Sequence, residues 1–373
     1  MPLALRRALA LALLAPLALG AQRPTRAADV KRILYPLADD SMAGRMTGQP
    51  SGMAAARLIA AEMQRIGLKP LGDSGYFQRV PLVAVPLATP SRSGRTERLV
   101  TLPSLTDRDT VPAARQRPAV NVLGVIEGSD PALKNEVVLI DAHYDHLGIG
   151  RPVNGDSIYN GASDNATGVA GLLTLAKAYT AAKVPPKRSI LFLSVTSEEQ
   201  GLLGSQYYAT NPLYPVAKTL AIINMDGLNS WGRTSDIVVM GYGASDLDDY
   251  ARVAAAEQGG RTLRPDAEPE KGYYYRSDHF NFAKVGVPAF YPGEGVTFIG
   301  KDSTYGMQKR TEYVANDYHK PSDDIKAAWD MSGAAEDVQF YFAIGYRVAM
   351  TPKWPEWKPG NEFRATREKS LKP

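Results

Sequence analysis

The hydrophobic pattern in the central part of the chain predicts buried strands that alternate with helices. Short apolar runs rich in β-branched residues are typical of strands covered on both faces. Such runs, which predict strands, occupy 120–126, 137–142, 189–195, 220–225, 236–240 and 287–291. Segments with helical spacing, which predict helices, occupy 165–179, 199–209, 246–256 and 331–350. This alternation indicates an α/β fold, a three-layer sandwich in which a mostly parallel sheet lies between helices.

The segments on either side of this region have weaker patterns. Helical spacing recurs over 28–38 and 51–66, and 77–85 has the pattern of a strand. Residues 86–118 are rich in Pro, Ser, Thr and Arg without a period, so we expect a surface excursion rather than a domain. Residues 353–373 are polar and Pro-rich and predict a loosely held tail.

The N-terminus has the pattern of a signal peptide. Arg6 and Arg7 precede an apolar run over 8–19, and the small residues Gly20 and Ala21 follow it. The run is too short for a comfortable membrane span, so no stable membrane anchor is expected. We therefore predict a signal peptide over residues 1–21 and a secreted or periplasmic protein, with an uncleaved anchor as the alternative.

Composition limits the chemistry that the protein can perform. The formal net charge is +4 over 373 residues, which is too small a surplus to indicate nucleic-acid binding. The chain has no cysteine, which excludes disulfides, a thiol nucleophile, thiolate zinc sites and iron–sulfur clusters. Because there are only four histidines, any metal site must combine a few imidazoles with carboxylates.

Polar residues follow three of the predicted core strands. His143 comes directly after 137–142, Glu198 and Glu199 come after 189–195, and Asp226 comes after 220–225. Because the carboxyl ends of parallel strands meet at one edge of a sheet, we expect these side chains to lie close together.

Two further candidates lie elsewhere in the chain, and each candidate alone has a simpler explanation. Asp164, at the start of a predicted helix, could be a helix cap, and His319 could be a surface histidine. Glu198 and Glu199 could favour a helix N-terminus electrostatically, and Asp226 could be a turn residue. The recurrence of such residues after successive buried strands favours a shared site.

This set of side chains suits a pair of divalent ions of the zinc type. Histidine and carboxylate ligands without thiolates are compatible with zinc, and the two oxygens of one carboxylate can bridge two ions. A carboxylate beside the ligands can act as a general base. The chain lacks HExxH, which argues against a one-zinc site on a single helix.

Six segments resemble the co-catalytic di-zinc aminopeptidases of metallopeptidase clan MH, family 28, and occur in the order found there. They are DAHYDHLG, NGASDNATGVAG, SEEQGLLGS, INMDGLN, RSDHFNFAKVGVPAF and DYHKPSDD. The lead-in from Ser41 resembles secreted bacterial members, so the resemblance covers most of residues 28–350. It implies a phosphorylase-like zinc exopeptidase fold with a mixed sheet, formed by a domain over 22–352.

The resemblance also implies a role for each candidate residue. At one zinc ion the ligands would be His143 and Asp226, at the other Glu199 and His319, with Asp164 bridging both. Glu198 would be the general base for the water shared by the two ions. Asp145 would orient the His143 ring without binding the metal itself. Tyr274 would lie near the reacting carbonyl of the substrate. The implied activity is removal of N-terminal residues from peptides.

Two departures from the family are visible. Many relatives have Asp at the position of Ser163, beside the bridging residue. Many secreted relatives insert a protease-associated domain where this chain has only 86–118, so we expect that domain to be absent. His146 and His279 fall in the motifs at positions that favour structural roles over metal binding.

Several alternatives remain open. The same site could serve a dipeptidase or carboxypeptidase, or a glutaminyl cyclase with one zinc ion. A non-catalytic binding protein is disfavoured because the ligand set and Glu198 are intact. The native metal could be another divalent ion, and the sequence indicates neither the preferred side chain nor the oligomeric state.

Overall fold

The computed structural model describes residues 25–89 and 96–372, so the predicted signal peptide at 1–21 lies outside the described residues. The strands are β1 (Lys69–Pro70), β2 (Phe77–Arg79), β3 (Leu82–Pro86), β4 (Glu97–Thr101), β5 (Gln116–Arg117), β6 (Val120–Ile126), β7 (Val137–His143), β8 (Gly148–Val153), β9 (Asp156–Tyr159), β10 (Ser189–Val195), β11 (Thr219–Asn224), β12 (Asp236–Met240), β13 (Thr262–Pro265) and β14 (Ala289–Gly293). The α-helices are α1 (Ala27–Ala38), α2 (Pro50–Ile66), α3 (Leu105–Asp109), α4 (Gly168–Thr180), α5 (Leu203–Thr210), α6 (Leu247–Glu257), α7 (His279–Lys284), α8 (Tyr305–Asn316), α9 (Ser332–Met350) and α10 (Arg364–Ser370).

The main sheet is mixed, with a parallel centre. Its strand order is β1-β6-β10-β7-β11-β14-β12-β13, and β2 also pairs with β6. The central strands β10, β7, β11 and β14 run parallel, whereas β6 and β12 run antiparallel to their inner neighbours. The carboxyl ends of the four central strands therefore meet at one edge of the sheet.

Helices cover both faces of this sheet. Successive residues of a strand point to opposite faces, and in β7 Val138 and Ile140 join one hydrophobic cluster while Val137 and Leu139 join the other. Helices α1, α2, α4 and α9 pack in the first cluster, and α5 and α7 pack in the second. The predicted three-layer α/β sandwich with a mixed, mostly parallel sheet is confirmed.

The segment predicted as a surface excursion contains regular structure. The single strand expected over 77–85 is interrupted at Pro81, which has no N–H to continue the ladder. Beyond it β3 leaves the main sheet and forms a small antiparallel sheet with β4 and β5. The segment 86–118, predicted as a surface excursion rather than a domain, thus contains two of the three strands of this small sheet.

The prediction of a loosely held tail over 353–373 is also wrong for the described residues. Trp357 is 1% exposed and donates a hydrogen bond to the Gly286 carbonyl at 2.9 Å. Phe363 packs in the same cluster as α5 and α7, and Arg367 donates to the carbonyls of Val216 and Thr219. The aromatic residues of this otherwise polar segment, together with Arg367, hold it against the rest of the fold.

Among residues 25–89 and 96–372, no helix combines the length and the apolar character needed to cross a membrane.

Candidate metal centre

The candidate ligands from the core strands meet at the carboxyl edge of the sheet. His143 is the last residue of β7, and Asp226 follows β11, the next strand on one side. Glu198 and Glu199 follow β10, the next strand on the other side. The structure therefore brings together the residues that the sequence placed after three separate strands.

The turn after β10 is held so that both glutamates face the cavity. Ser197 has a left-handed backbone conformation with φ of 59°, and its N–H donates to Thr47 Oγ1 at 3.1 Å. The Asp145 carboxylate accepts hydrogen bonds from the N–H groups of Glu198 and Glu199 at 3.0 and 3.3 Å. Asp145 thus fixes the peptide units of both glutamates.

Asp145 reaches His143 mainly through its main chain. His143 Nδ1 lies 3.2 Å from the Asp145 carbonyl oxygen, but 3.9 Å from the nearer carboxylate oxygen. The expected contact with His143 is present, and the carboxylate itself mainly positions the glutamate turn.

The loop that carries Asp164 is held by two side chains that the sequence did not identify. The Asp323 carboxylate accepts hydrogen bonds from the N–H groups of Ser163 and Asp164 at 2.9 and 3.0 Å. Arg45 is fully buried and donates to the carbonyls of Asn160 and Gly161 at 2.6 and 2.9 Å. The only available signal was that Asp323 lies in the DYHKPSDD segment, four residues after His319.

Asp164 joins two groups of ligand atoms through its two oxygens. His143 Nε2 lies 3.3 Å from Asp164 Oδ1 and 3.3 Å from Asp226 Oδ1. His319 Nε2 lies 3.2 Å from Asp164 Oδ2 and 3.2 Å from Glu199 Oε2. Each imidazole is therefore grouped with two carboxylates, and Asp164 is common to both groups.

His146 adds a second imidazole beside Glu199. Its Nδ1 lies 2.7 Å from Glu199 Oε1, yet neither atom has a hydrogen-bond partner of suitable geometry among the described residues. His146 is fully buried, whereas the His319 side chain is 37% exposed. Glu199 Oε1 therefore has a lone pair that the protein leaves unsatisfied and that a bound cation would satisfy.

The electrostatics of the site favour bound positive charge. Burial by itself lowers the pKa of His143, but Glu198, Asp164 and Asp226 outweigh it and raise that pKa well above its ordinary value. Burial likewise lowers the pKa of His319, but the hydrogen bonds with Asp164 and Glu199 raise it to about 10. Glu198 has a raised pKa because of burial and the neighbouring charge of Asp226, although His143 opposes the shift.

The residues fit a pair of divalent cations. Asp164, Glu198, Glu199 and Asp226 line one cavity of about 710 Å³ together with His143 and His319. Two divalent ions would balance the four carboxylates with the imidazoles neutral, and neutral imidazole is the form that binds metal.

The structure does not bring Tyr274 to the cavity, contrary to the role expected for it. Its ring packs against His279 at 4.8 Å between centroids and stacks on Phe363 at 6.4 Å, within the cluster under the sheet. The neighbouring residues Tyr273 and Tyr275 line the cavity instead. The three consecutive tyrosines form a tight turn, so adjacent rings point in different directions.

Three further side chains contact the ligands and were missed in the sequence. Ser277 Oγ donates to Asp226 Oδ2 at 2.7 Å, and the Tyr291 hydroxyl donates to the same oxygen at 3.4 Å. The Tyr318 ring stacks on the His319 ring with centroids 3.9 Å apart. Ser277 lies in the RSDH motif and Tyr318 precedes His319, but nothing in the sequence singled out Tyr291.

Similar proteins were found among curated sequences and solved structures. A leupeptin-inactivating enzyme from Streptomyces exfoliatus is 30% identical over 254 residues, which cover 66% of this chain and 51% of that protein. A vacuolar membrane protease from Verticillium alfalfae is 33% identical over 96 residues, 26% of this chain. The chain spans only 8% of that protease and about half of the Streptomyces enzyme.

The fold is similar to that of a zinc aminopeptidase from Bacillus subtilis, with a TM-score of 0.58 and 16% identity over 91% of this chain and 98% of that one. The family model described as Peptidase family M28 matches residues 121–343, which is more than half of the chain and includes every candidate metal ligand. The chain therefore belongs to peptidase family M28.

Proposed function

We propose that this protein is a di-zinc aminopeptidase that removes N-terminal residues from peptides. The observation that carries the proposal is the sharing of Asp164, whose Oδ1 lies 3.3 Å from His143 and whose Oδ2 lies 3.2 Å from His319. This arrangement offers two adjacent ligand groups with one bridging carboxylate, as two-metal hydrolases require. His143 and Asp226 would hold one ion, Glu199 and His319 the other.

The two ions, when bound, supply Lewis-acid polarisation of a carbonyl and lower the pKa of a water molecule. Glu198 is the residue that moves the proton. Its Oε2 lies 4.0 Å from His143 Nε2 and close enough to share an ion with His143 and Asp226, but we assign it to neither ion. A carboxylate with a raised pKa at this place can accept the proton of the attacking water and pass it to the leaving amine.

The carboxylates would also select the free N-terminus of the substrate. With both ions bound the cluster has no net charge, so the contact that a free amine would make is with the Glu198 carboxylate, which would bind neither ion. An acylated N-terminus carries no charge and is larger, so it would gain nothing from this carboxylate. We further propose that the protein is exported, on the basis of the charged and apolar pattern of residues 1–21.

Blocking the N-terminus of a peptide is expected to abolish its cleavage. The free and N-acetylated forms of one leucyl peptide would be incubated with zinc-loaded protein and the products identified by mass spectrometry. We expect release of free leucine from the unblocked form and a rate about 10- to 100-fold lower for the acetylated form, because the loss of a charge-assisted contact costs about 1.5–3 kcal/mol.

The matched controls distinguish the alternatives. Equal cleavage of both forms contradicts aminopeptidase activity, and loss of C-terminal residues from both indicates a carboxypeptidase. A peptide with N-terminal glutamine tests the cyclase alternative, which predicts release of ammonia instead of free glutamine. A dipeptidase would cleave dipeptides but leave the longer peptide intact.

His319 and His146 are expected to differ in metal binding, although both contact Glu199. His319 Nε2 lies 3.2 Å from both Asp164 and Glu199, whereas His146 lies 2.7 Å from Glu199 and only within 4.8 Å of Asp164. His319→Ala should therefore lose one of the two ions and most activity, and His146→Ala should keep both ions. Metal content by plasma emission after dialysis is the measurement, with circular dichroism as the control for folding. Retention of both ions by His319→Ala with loss in His146→Ala would exchange the two roles.

A further inference from the structure

The cavity contains a carboxylate that the proposed chemistry does not use. Glu294 directly follows β14 and lines the same cavity as the candidate ligands. Among the residues that the structure describes, its side chain has charged neighbours but makes no hydrogen bond and no ion pair. Glu294 is partly buried, and a carboxylate that lines a cavity without a partner is available to pair with a cationic group of a ligand.

Strand pairing places Glu294 close to the candidate metal ligands. β14 runs parallel to β11, with Phe290 opposite Ile223. The next residue, Tyr291, reaches Asp226 Oδ2 with its hydroxyl at 3.4 Å. Glu294 lies three residues further along the chain and lines the cavity together with the candidate ligands.

The turn that carries Glu294 is rigidly held. Asp236 Oδ1 accepts hydrogen bonds from the N–H groups of Val296 and Thr297 at 3.0 and 2.8 Å, and Asp236 Oδ2 accepts one from Thr297 Oγ1 at 2.8 Å. Gly295 fits there because a Cβ at that position would lie 2.2 Å from the Asp236 carbonyl oxygen. The position of the Glu294 backbone is therefore fixed before any ligand binds.

The surroundings of Glu294 suit an unbranched cationic side chain. The rings of Trp231 and Tyr313 line the same cavity and pack edge to face, with centroids 6.2 Å apart. The Tyr313 hydroxyl donates to Asp323, so the part of this residue that remains available to a ligand is its ring. Aromatic faces accommodate a methylene chain and attract a cation.

We propose that the cavity selects substrates with lysine or arginine at the N-terminus, because Glu294 pairs with the positive end of that side chain. This inference rests on the proposed aminopeptidase function. The amine of the first residue binds at the ligand cluster, so its side chain enters the enclosed part of the cavity, while the rest of the peptide leads out to solvent.

The arginines of the cavity do not cancel this charge. Arg310 donates to Glu268 at 3.1 Å and lies over the Tyr273 ring at 5.0 Å, so it is already paired. Arg276 is exposed and lies against the same ring at 5.6 Å. Both guanidinium groups therefore lie against the Tyr273 ring, and neither forms an ion pair with Glu294.

Glu294→Gln is the variant that tests the pocket. Wild-type protein should hydrolyse lysyl and arginyl 4-nitroanilides with higher kcat/KM than the norleucyl compound, which has an unbranched but neutral side chain. In Glu294→Gln the lysyl-to-norleucyl ratio measured at about pH 9, where the Glu294 carboxyl is ionised, should fall about 10- to 100-fold, the size expected for a lost hydrogen bond between charged groups. Hydrolysis of the norleucyl compound should change by less than about threefold.

The matched control is Glu312→Gln. Glu312 lies on α8 and pairs with Lys309, but it does not line the cavity. This variant also removes one negative charge, but not from the wall of the cavity. It should therefore keep the wild-type lysyl-to-norleucyl ratio. A fall in the ratio in both variants would indicate a general field effect and overturn the pocket.

The pH dependence gives an independent readout. Burial and the negative charges of Asp337 and Asp323, opposed by Arg310, raise the pKa of Glu294 to about 8. The carboxyl is therefore largely neutral below pH 8 and ionised above it. The lysyl-to-norleucyl ratio should rise between pH 6.5 and 9 in wild type and stay flat in Glu294→Gln, since effects on the metal cluster cancel in the ratio.

The outcomes separate this inference from the proposed function. If norleucyl substrate is hydrolysed but the ratio is unchanged by Glu294→Gln, or if glutamyl substrate is preferred, the pocket is overturned and the aminopeptidase remains. If no aminoacyl substrate is hydrolysed, the proposed function fails. Calorimetry with L-lysinamide and L-norleucinamide then tests the pocket alone. The pocket predicts that wild-type protein binds lysinamide more tightly than norleucinamide, and that Glu294→Gln removes this difference.

Discussion

Glu198→Gln is expected to lower turnover by about 10²–10⁴-fold while both metal ions remain bound. Glutamine keeps the size of the side chain but cannot accept the proton of the attacking water. Glu198 lies beside the ligands, with Oε2 4.0 Å from His143 Nε2, and it belongs to neither of the two groups that share Asp164. The measurements are kcat with a leucyl substrate and metal content after dialysis.

The adjacent Glu199 provides the matched comparison. Glu199 Oε2 lies 3.2 Å from His319 Nε2, so Glu199→Ala removes a ligand atom from one group. We expect loss of one ion and a lower melting temperature, because metal that binds only the folded state stabilises it. If instead Glu198→Gln loses metal and Glu199→Ala keeps it, the two roles are exchanged. If both variants keep metal and activity, the two glutamates serve only as acidic residues at the N-terminus of a helix.

The metal-free protein offers a second test of Glu198. Burial raises the pKa of this carboxyl, so its ionised form disfavours folding at any pH above its ordinary value. Glutamine removes that cost. Metal-free Glu198→Gln should therefore melt at or slightly above the temperature of the metal-free parent at pH 7, and at an equal temperature near pH 4, where the carboxyl is protonated in both states.

The core strands could be predicted from the sequence because local composition alone determines them. β6, β10 and β12 begin and end where the apolar runs do. These strands are buried on both faces, so each consists almost entirely of apolar residues and its limits are visible without knowledge of the rest of the chain.

The starts of two helices could not be predicted, and the reason lies in the site. Helical spacing predicts helices from Asn165 and Glu199, but α4 begins at Gly168 and α5 at Leu203. Asn165 has non-helical dihedral angles, and Leu202 has a left-handed conformation with φ of 61°. The segments that carry ligands therefore depart from the local preference that their sequence would otherwise follow.

The candidate ligands could be named from strand ends and motifs, but the residues that hold them in place could not. Asp323 and Arg45 act on the Asp164 loop from positions more than a hundred residues away in the chain. Glu294 likewise enters the cavity only because β14 lies beside β11. Such contacts depend on the packing of distant segments, and no pattern in one sequence specifies them.

Asp164→Ala is expected to remove both metal ions and all measurable activity. Each oxygen of this carboxylate faces a different imidazole, Oδ1 toward His143 at 3.3 Å and Oδ2 toward His319 at 3.2 Å. Loss of the side chain therefore leaves each group one ligand short. Metal content should fall from about two ions per chain to none.

Asp226→Ala is the matched control, because its Oδ1 approaches only His143. It should lose one ion and keep the other, so the metal content of the two variants separates a bridging residue from an ordinary ligand.

In zinc at a hundred times the dissociation constant, each filled site adds about 2.7 kcal/mol to the free energy of unfolding. Asp164→Ala should then lose roughly twice the zinc-dependent stabilisation that Asp226→Ala loses, measured by urea unfolding with and without zinc. Retention of one ion by Asp164→Ala would contradict the shared carboxylate, since one group would then bind metal without it.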